Sequence, residues 1–296
     1  MANILKLMKN TRKWLPYLLF FIAVTVFFMY HLFPSNIVKN YITYNLNKIY
    51  PDINITIDYI KPAFSPGLRL YNVGFYHQNN SLLVAEQIKI APGLLSLFSP
   101  KSTYFFKGRT YGGTIKGKGE VVKNEPARPV MIDAKISGIQ AKDIPAIQNL
   151  TGRKISGMLD GNFIYSNDNR SGENLSAKFI ISDCEIKLLT PVFMLESATF
   201  SKIEADLTMK NRKLQVKQCI IKGNQMDGFI SGTITLKKPL VKSVLNLAGT
   251  IKPHQPFLEK LGKDLPANLL PKKIFDKNGF SIRLYGRLDK PGFSFN

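Results

Sequence analysis

The pattern of apolar and polar positions changes once along the chain. From Trp14 to Phe33, twenty residues run without a formal charge. At 1.5 Å per residue a helix of that length spans about 30 Å, the thickness of a bilayer's hydrocarbon. Beyond Ser35 the pattern becomes period-2 alternation, which marks strands with one buried face. In Ser201–Lys210, Ile203, Ala205, Leu207 and Met209 point one way, and Glu204, Asp206, Thr208 and Lys210 the other. Ile53–Tyr59 reads the same way, as does Phe280–Leu284 continuing to Leu288. The alternation predicts further strands near 67–76, 82–90, 102–110, 112–122, 129–138, 154–165, 175–188, 213–222, 227–237 and 241–250. Helical signals are few: 37–49, one turn at Leu94–Phe98, and short pieces at Ile144–Leu150 and Phe257–Leu270.

The expected fold class is therefore mainly β. A single N-terminal transmembrane helix precedes a long antiparallel sheet with one apolar and one polar face. An apolar face this long is covered by curling of the sheet, by a helix, or by an apolar ligand. The alternation does not choose among these.

Three segments follow. Residues 1–13 form a basic tail with Lys6, Lys9, Arg12 and Lys13 and no acid. Residues 14–33 form the span, with Trp14, Tyr17 and Tyr30 near its ends as interfacial aromatics. Residues 35–296 form the β-rich part. A cleaved signal peptide also has a basic start and an apolar run. This run exceeds the usual h-region and stays bulky through Phe27-Phe28-Met29-Tyr30, with no small-x-small cleavage site. The reading is an uncleaved anchor with its N-terminus in the cytoplasm.

Charge narrows the partners. Forty-one Lys and Arg against twenty Asp and Glu give a net charge of +21. Four of those cations precede the span, so the excess belongs mainly to the exported part, away from genomic DNA. Nucleic acid is not an expected partner. Phospholipid, lipopolysaccharide and acidic protein surfaces are. The lysines are spread along strands and turns, among them Lys116, Lys118, Lys187, Lys202, Lys217 and Lys237; Pro271-Lys272-Lys273 with Lys263 and Lys277 is the densest local group.

One motif repeats. Lys107-Gly108 and Gly113-Thr114-Ile115-Lys116-Gly117 match Lys222-Gly223 and Gly228-Phe229-Ile230-Ser231-Gly232, both reading K-G-x4-G-x-I-x-G. The physical reading is a hairpin whose second strand enters at a glycine.

The chain resembles the AsmA-like families of bacterial envelope proteins and, more closely, type II secretion system protein N of delta-proteobacterial type. The matching stretches are Gly67-Leu68-Arg69-Leu70-Tyr71-Asn72-Val73, Ile88–Leu97, Tyr111-Gly112-Gly113-Thr114-Ile115 and Leu284–Pro291. They are mostly glycines and alternating aliphatics, so their order and coverage carry the likeness. The resemblance implies a bitopic inner-membrane protein with a periplasmic β-groove, serving as an accessory subunit of the secretion apparatus without catalysis. Its partners would be other secretion-system proteins and the bilayer at residues 14–33, with phospholipid or lipopolysaccharide as groove ligands. A lipid-binding or phospholipid-transfer module is the alternative.

The residues offer no chemistry against that expectation. No G-x-S-x-G, P-loop or H-E-x-x-H is present. His31, His77 and His254 are scattered, and the pairs Asp183/Glu185 and Glu204/Asp206 read as a solvated face. No catalytic, cofactor or metal residue is assigned. Cys184 and Cys219 are expected on strands separated by a third, with Cys184 in phase with Ile180 and Ile186 and Cys219 on the polar side with Gln215 and Lys217.

Overall fold

A computed structural model describes residues 2–49, 51–63, 66–77, 80–123, 130–168, 172–192, 195–264 and 279–295. Helix α1 runs over Ala2–His31 and α2 over Ser35–Ile49. Between them the chain breaks at Pro34, whose ring disfavours helix in the residue before it. The apolar stretch of α1, Trp14–His31, has a mean hydropathy of 1.7 and no part of it is buried by the rest of the chain. It is long and apolar enough to span a membrane. A helix apolar on every side and packed against nothing is not a core helix.

The rest is one antiparallel sheet. Its strands are β1 Asn54–Thr56, β2 Tyr59–Pro62, β3 Leu68–His77, β4 Asn80–Pro92, β5 Lys101–Thr110, β6 Gly113–Val122, β7 Val130–Gln140 and β8 Ile155–Asp168. They continue as β9 Gly172–Val192, β10 Leu195–Lys210, β11 Lys213–Gly223, β12 Met226–Thr235, β13 Val244–Pro253, β14 Phe280–Arg287 and β15 Lys290–Phe295. From β3 onward every strand pairs with its sequence neighbour, while β1 and β2 both pair with β3. The sheet is an unclosed meander. Helices are short: α3 Pro145–Thr151, α4 Gln255–Asp264 and single turns at Leu94–Phe98, Ala141–Asp143 and Leu240–Lys242. The expected helical residues 265–270 and the Lys272-Lys273-Lys277 group lie outside the described residues.

Two strand expectations need correction. Ile53–Tyr59 is not one strand. The chain breaks at Ile57-Asp58, opposite Asn72, which sits on β3 at φ 49° and donates from Nδ2 to Asp58 Oδ2 at 2.7 Å. Both strands thus reset together, and Ile55, Ile57 and Ile60 are all buried. The last strand does not continue to Leu288; it turns at Leu288-Asp289, and β15 follows.

The curl has a visible cause. A β-bulge inserts a residue on one strand, bends it and increases twist. Register shifts of this kind recur at Gly138 in β7, Asp183 in β9, Ser201 in β10 and Lys217 in β11. The sheet bends far enough that the segment after β12 reaches the segment before β1, where Lys238 Nζ bonds Asp52 Oδ2 at 2.5 Å.

The first edge is covered. Helix α2 packs on β1 and β2. Asn47 accepts from Ile55 N through Oδ1 at 2.7 Å and donates through Nδ2 to Ile55 O at 3.2 Å. Ser35 Oγ donates to Ile60 O at 2.5 Å. Side chains thus stand in for the missing neighbouring strand. Beneath them Ile55, Ile57, Ile60, Leu70, Val73 and Ala85 form the core, with Phe33, Val38, Ile42 and Leu46 packed against it. Each such isoleucine contributes roughly 1.5–3 kcal/mol when fully buried.

Candidate functional site

Residues directly opposed across antiparallel strands share a face, so the register defines what lines the sheet. One row crosses from β2 to β15 as Pro62, Leu68, Ile90, Phe106, Gly117, Ala134, Phe163, Ala177, Leu207, Val216, Gly232, Leu247, Leu284 and Phe293. No position in it is polar. The neighbouring row of the same face reads Ile60, Leu70, Ile88, Gly108, Ile115, Ile136, Gly161, Phe179, Ala205, Cys219, Ile230, Gly249 and Ile282. It too carries only apolar residues and glycine. At ~4.8 Å between strands, the two rows form a gutter about 60 Å long measured around the curl.

Two of the glycines make room for rings. A Cβ at Gly117 would lie 2.7 Å from Phe106 Cζ, and one at Gly161 would lie 2.6 Å from Phe179 Cδ1. Each phenyl ring occupies the space above the glycine of the adjacent strand. This lowers the lining and closes its surface.

Cover is uneven along the gutter. At the β1–β4 end α2 seals it, and Ile60 and Leu70 are 0% and 4% exposed. Farther along, Ile115, Phe163, Phe179, Leu207 and Ile230 are only half-buried, and Phe293 on the last strand is 60% exposed. The sheet's own curl and α2 cover part of the apolar face and leave part open. The polar face is hollow as well. A cavity of about 890 Å³ there is lined by Ile164, Ser176, Thr208, Gln215 and Thr233 together with Leu175, Met209, Lys210 and Lys213. A strongly twisted sheet is concave on each face along a different diagonal.

The cysteines complete the phase argument. Cys184 lies on β9 and Cys219 on β11, with β10 between them, and both are free thiols. Cys184 is buried on the apolar side, as expected, but through a bulge at Asp183 that moves it out of phase with Ile180 and into phase with Ile181 and Ala177. Cys219 was expected among Gln215 and Lys217 on the polar side. The extra residue at Lys217-Gln218 turns it onto the apolar face, opposite Ala205. Burial pushes both thiols up, so neither is a ready thiolate.

The repeated motif forms hairpins in both places, yet the copies are not equivalent. The first turns at Tyr111-Gly112, with Gly108 opposite Ile115. The second turns at Asn224-Gln225, two residues earlier in the motif, with Gly228 opposite Ile221. The first turn is also a clasp. Beyond Gln87, β4 leaves β5, and there Thr110 Oγ1 donates to Val84 O at 2.6 Å while Tyr111 Oη accepts from Val84 N at 2.8 Å.

The three histidines and several of the acids have local partners. His31 stacks on Phe27, His77 Nδ1 meets Asp52 O at 2.7 Å, and His254 Nε2 lies 3.5 Å from Asp227. Burial opposes ionisation of Asp227, but the Gly223 N–H, Lys222 and His254 hold its carboxyl below the usual range. Glu204 pairs with Lys202, and Asp206 with Lys178 at 3.6 Å. Among the described residues no group of three or more His, Cys, Asp or Glu is placed to hold a metal ion. Compared with protein-family models, with curated proteins and with solved structures, the chain matches none.

Proposed function

We propose that the chain is a non-catalytic, single-pass subunit of the bacterial envelope, anchored in the inner membrane by α1 with its sheet in the periplasm. The machine it serves is the type II secretion system, in an assembly or accessory role. The observation that supports a docking subunit is the asymmetry of the sheet's edges. Asn47 and Ser35 satisfy the backbone at the α2-covered edge, whereas β15, among the described residues, presents an unpaired edge to which a partner strand can add. The order of the stretches that resemble secretion protein N favours that system: they fall on β3, on β4 running into its terminal turn, on the β5–β6 hairpin and on the β14–β15 hairpin. Deleting the gene and assaying secreted enzymes tests this. A secretion defect restored by the wild-type chain supports the reading; normal secretion overturns it.

A second reading is favoured by the two apolar rows. A half-open gutter joined to a membrane-length helix suits acyl chains, and the protein would then bind or move phospholipid. Native mass spectrometry of the full chain discriminates. Phospholipid retained after detergent removal supports lipid handling, and a lipid-free stable monomer excludes it.

A further inference from the structure

On the face opposite the gutter, the register assembles a second row of one kind. Lys61, Arg69, Lys89, Lys107, Lys116 and Lys135 stand directly opposite one another, one from each strand from β2 to β7. At ~4.8 Å per strand, this is a line of six cations about 24 Å long. It continues through Asn162 and Lys178 and meets its first acid at Asp206, which pairs with Lys178. None of the six has an ion-pair partner among the described residues. Of the acids on that face, Glu120 is ion-paired to Lys118, Asp133 stands opposite Lys118, and Asp160 accepts from the Gly138 N–H.

Like charges directly opposed destabilise a sheet. An anionic surface that neutralises all six turns that cost into a gain. Position identifies that surface. Lys61 and Pro62 share a cleft with Tyr30, Phe33 and Ser35, at the end of the membrane-length helix. Beside Lys61 on the same face, Tyr59 and Tyr71 stack at 4.4 Å, and Lys61 Nζ lies 5.4 Å from the Tyr59 ring. Paired tyrosines flanked by cations are the side chains that settle at the headgroup level of a bilayer.

We infer that the Lys61–Lys135 row rests on the anionic phospholipid headgroups of the bilayer that α1 crosses. The β2–β7 part of the sheet then lies on the membrane with its gutter facing away. The inference rests on the reading of α1 as an anchor.

The test uses the full chain reconstituted in phosphatidylcholine vesicles with and without about one-third phosphatidylglycerol. Lysines are acylated and read by mass spectrometry. Lys89, Lys107, Lys116 and Lys135 are expected to label several-fold less in the anionic vesicles. That protection should vanish at about 1 M salt, where the screening length falls to roughly 3 Å. Lys210 and Lys213, outside the row, should label equally in both. The triple variant Lys107→Gln/Lys116→Gln/Lys135→Gln should lose the protection at Lys89. Equal labelling of the row in both vesicles, with the protein floating alongside them, overturns the inference and leaves the anchor standing. Protection by soluble polyphosphate but not by phosphatidylglycerol assigns the row to a linear polyanion and overturns it too. Failure to float with either vesicle overturns the anchor reading, and the inference with it.

Discussion

Lys238 and Asp52 lie 186 residues apart and meet as an ion pair at 2.5 Å. The contact joins the segment after β12 to the segment before β1, so it reports how far the sheet has curled. Lys238 bonds the Asp52 carboxylate and holds its pKa below the ordinary 3.8. A carboxyl depressed in the folded state favours this contact above its unfolded value, and that contribution, small for so exposed a pair, is lost as pH falls through the lowered pKa. Spin labels placed on the two segments should therefore report one short distance at neutral pH and a broader distribution well below pH 3.8. Asp52→Asn should broaden the distribution only modestly at neutral pH, because both side chains are largely exposed.

The clasp at the β5–β6 turn makes a stability prediction. Tyr111→Phe removes the acceptor of the Val84 N–H without changing the ring. Leaving a part-buried donor unpaired should cost about 1–3 kcal/mol in urea denaturation. Tyr111→Ala should cost more, because the ring packing is lost as well.

The ring-over-glycine lining predicts a steric effect. A Cβ at Gly161 would lie 2.5 Å from Lys178 O and 2.6 Å from Phe179 Cδ1. Backbone cannot move aside as a flexible side chain can, so Gly161→Ala should destabilise by about 1–3 kcal/mol. Gly119 has open space around it and serves as the control: Gly119→Ala should change stability little. Thermal or urea unfolding of the two variants checks this.

The cation row predicts an inverted charge effect. Lys116 stands between Lys107 and Lys135. Lys116→Gln should stabilise the protein in detergent at low salt by roughly 0.2–1 kcal/mol. The gain should shrink at high salt, where the repulsion is already screened. A loss of stability at low salt would show that Lys116 has a favourable partner.

Most strands were legible because their alternation is strict, as Ile203, Ala205 and Leu207 show. What the alternation could not carry was its own interruption. Asp183 and Lys217 look like any polar strand residue, yet each is the extra residue that swaps the faces beyond it. Counting by twos therefore put Cys219 on the wrong side. The cation row was invisible for a different reason. Its members sit on six separate strands, and only the register brings them into line. Strand β15 was missed because Pro291 and Gly292 are poor strand formers, tolerated here because the strand is an edge.

On the proposed reading, the β15 edge, open among the described residues, docks a secretion-system partner. The direct measurement is photocrosslinking in intact cells through benzoylphenylalanine in place of Phe293, whose ring is 60% exposed on that strand. Docking at that edge predicts a covalent adduct containing a component of the secretion apparatus, and no such adduct from the same group placed at Tyr41 on α2. Crosslinks from Phe293 to lipid alone, or to no secretion component, would contradict it.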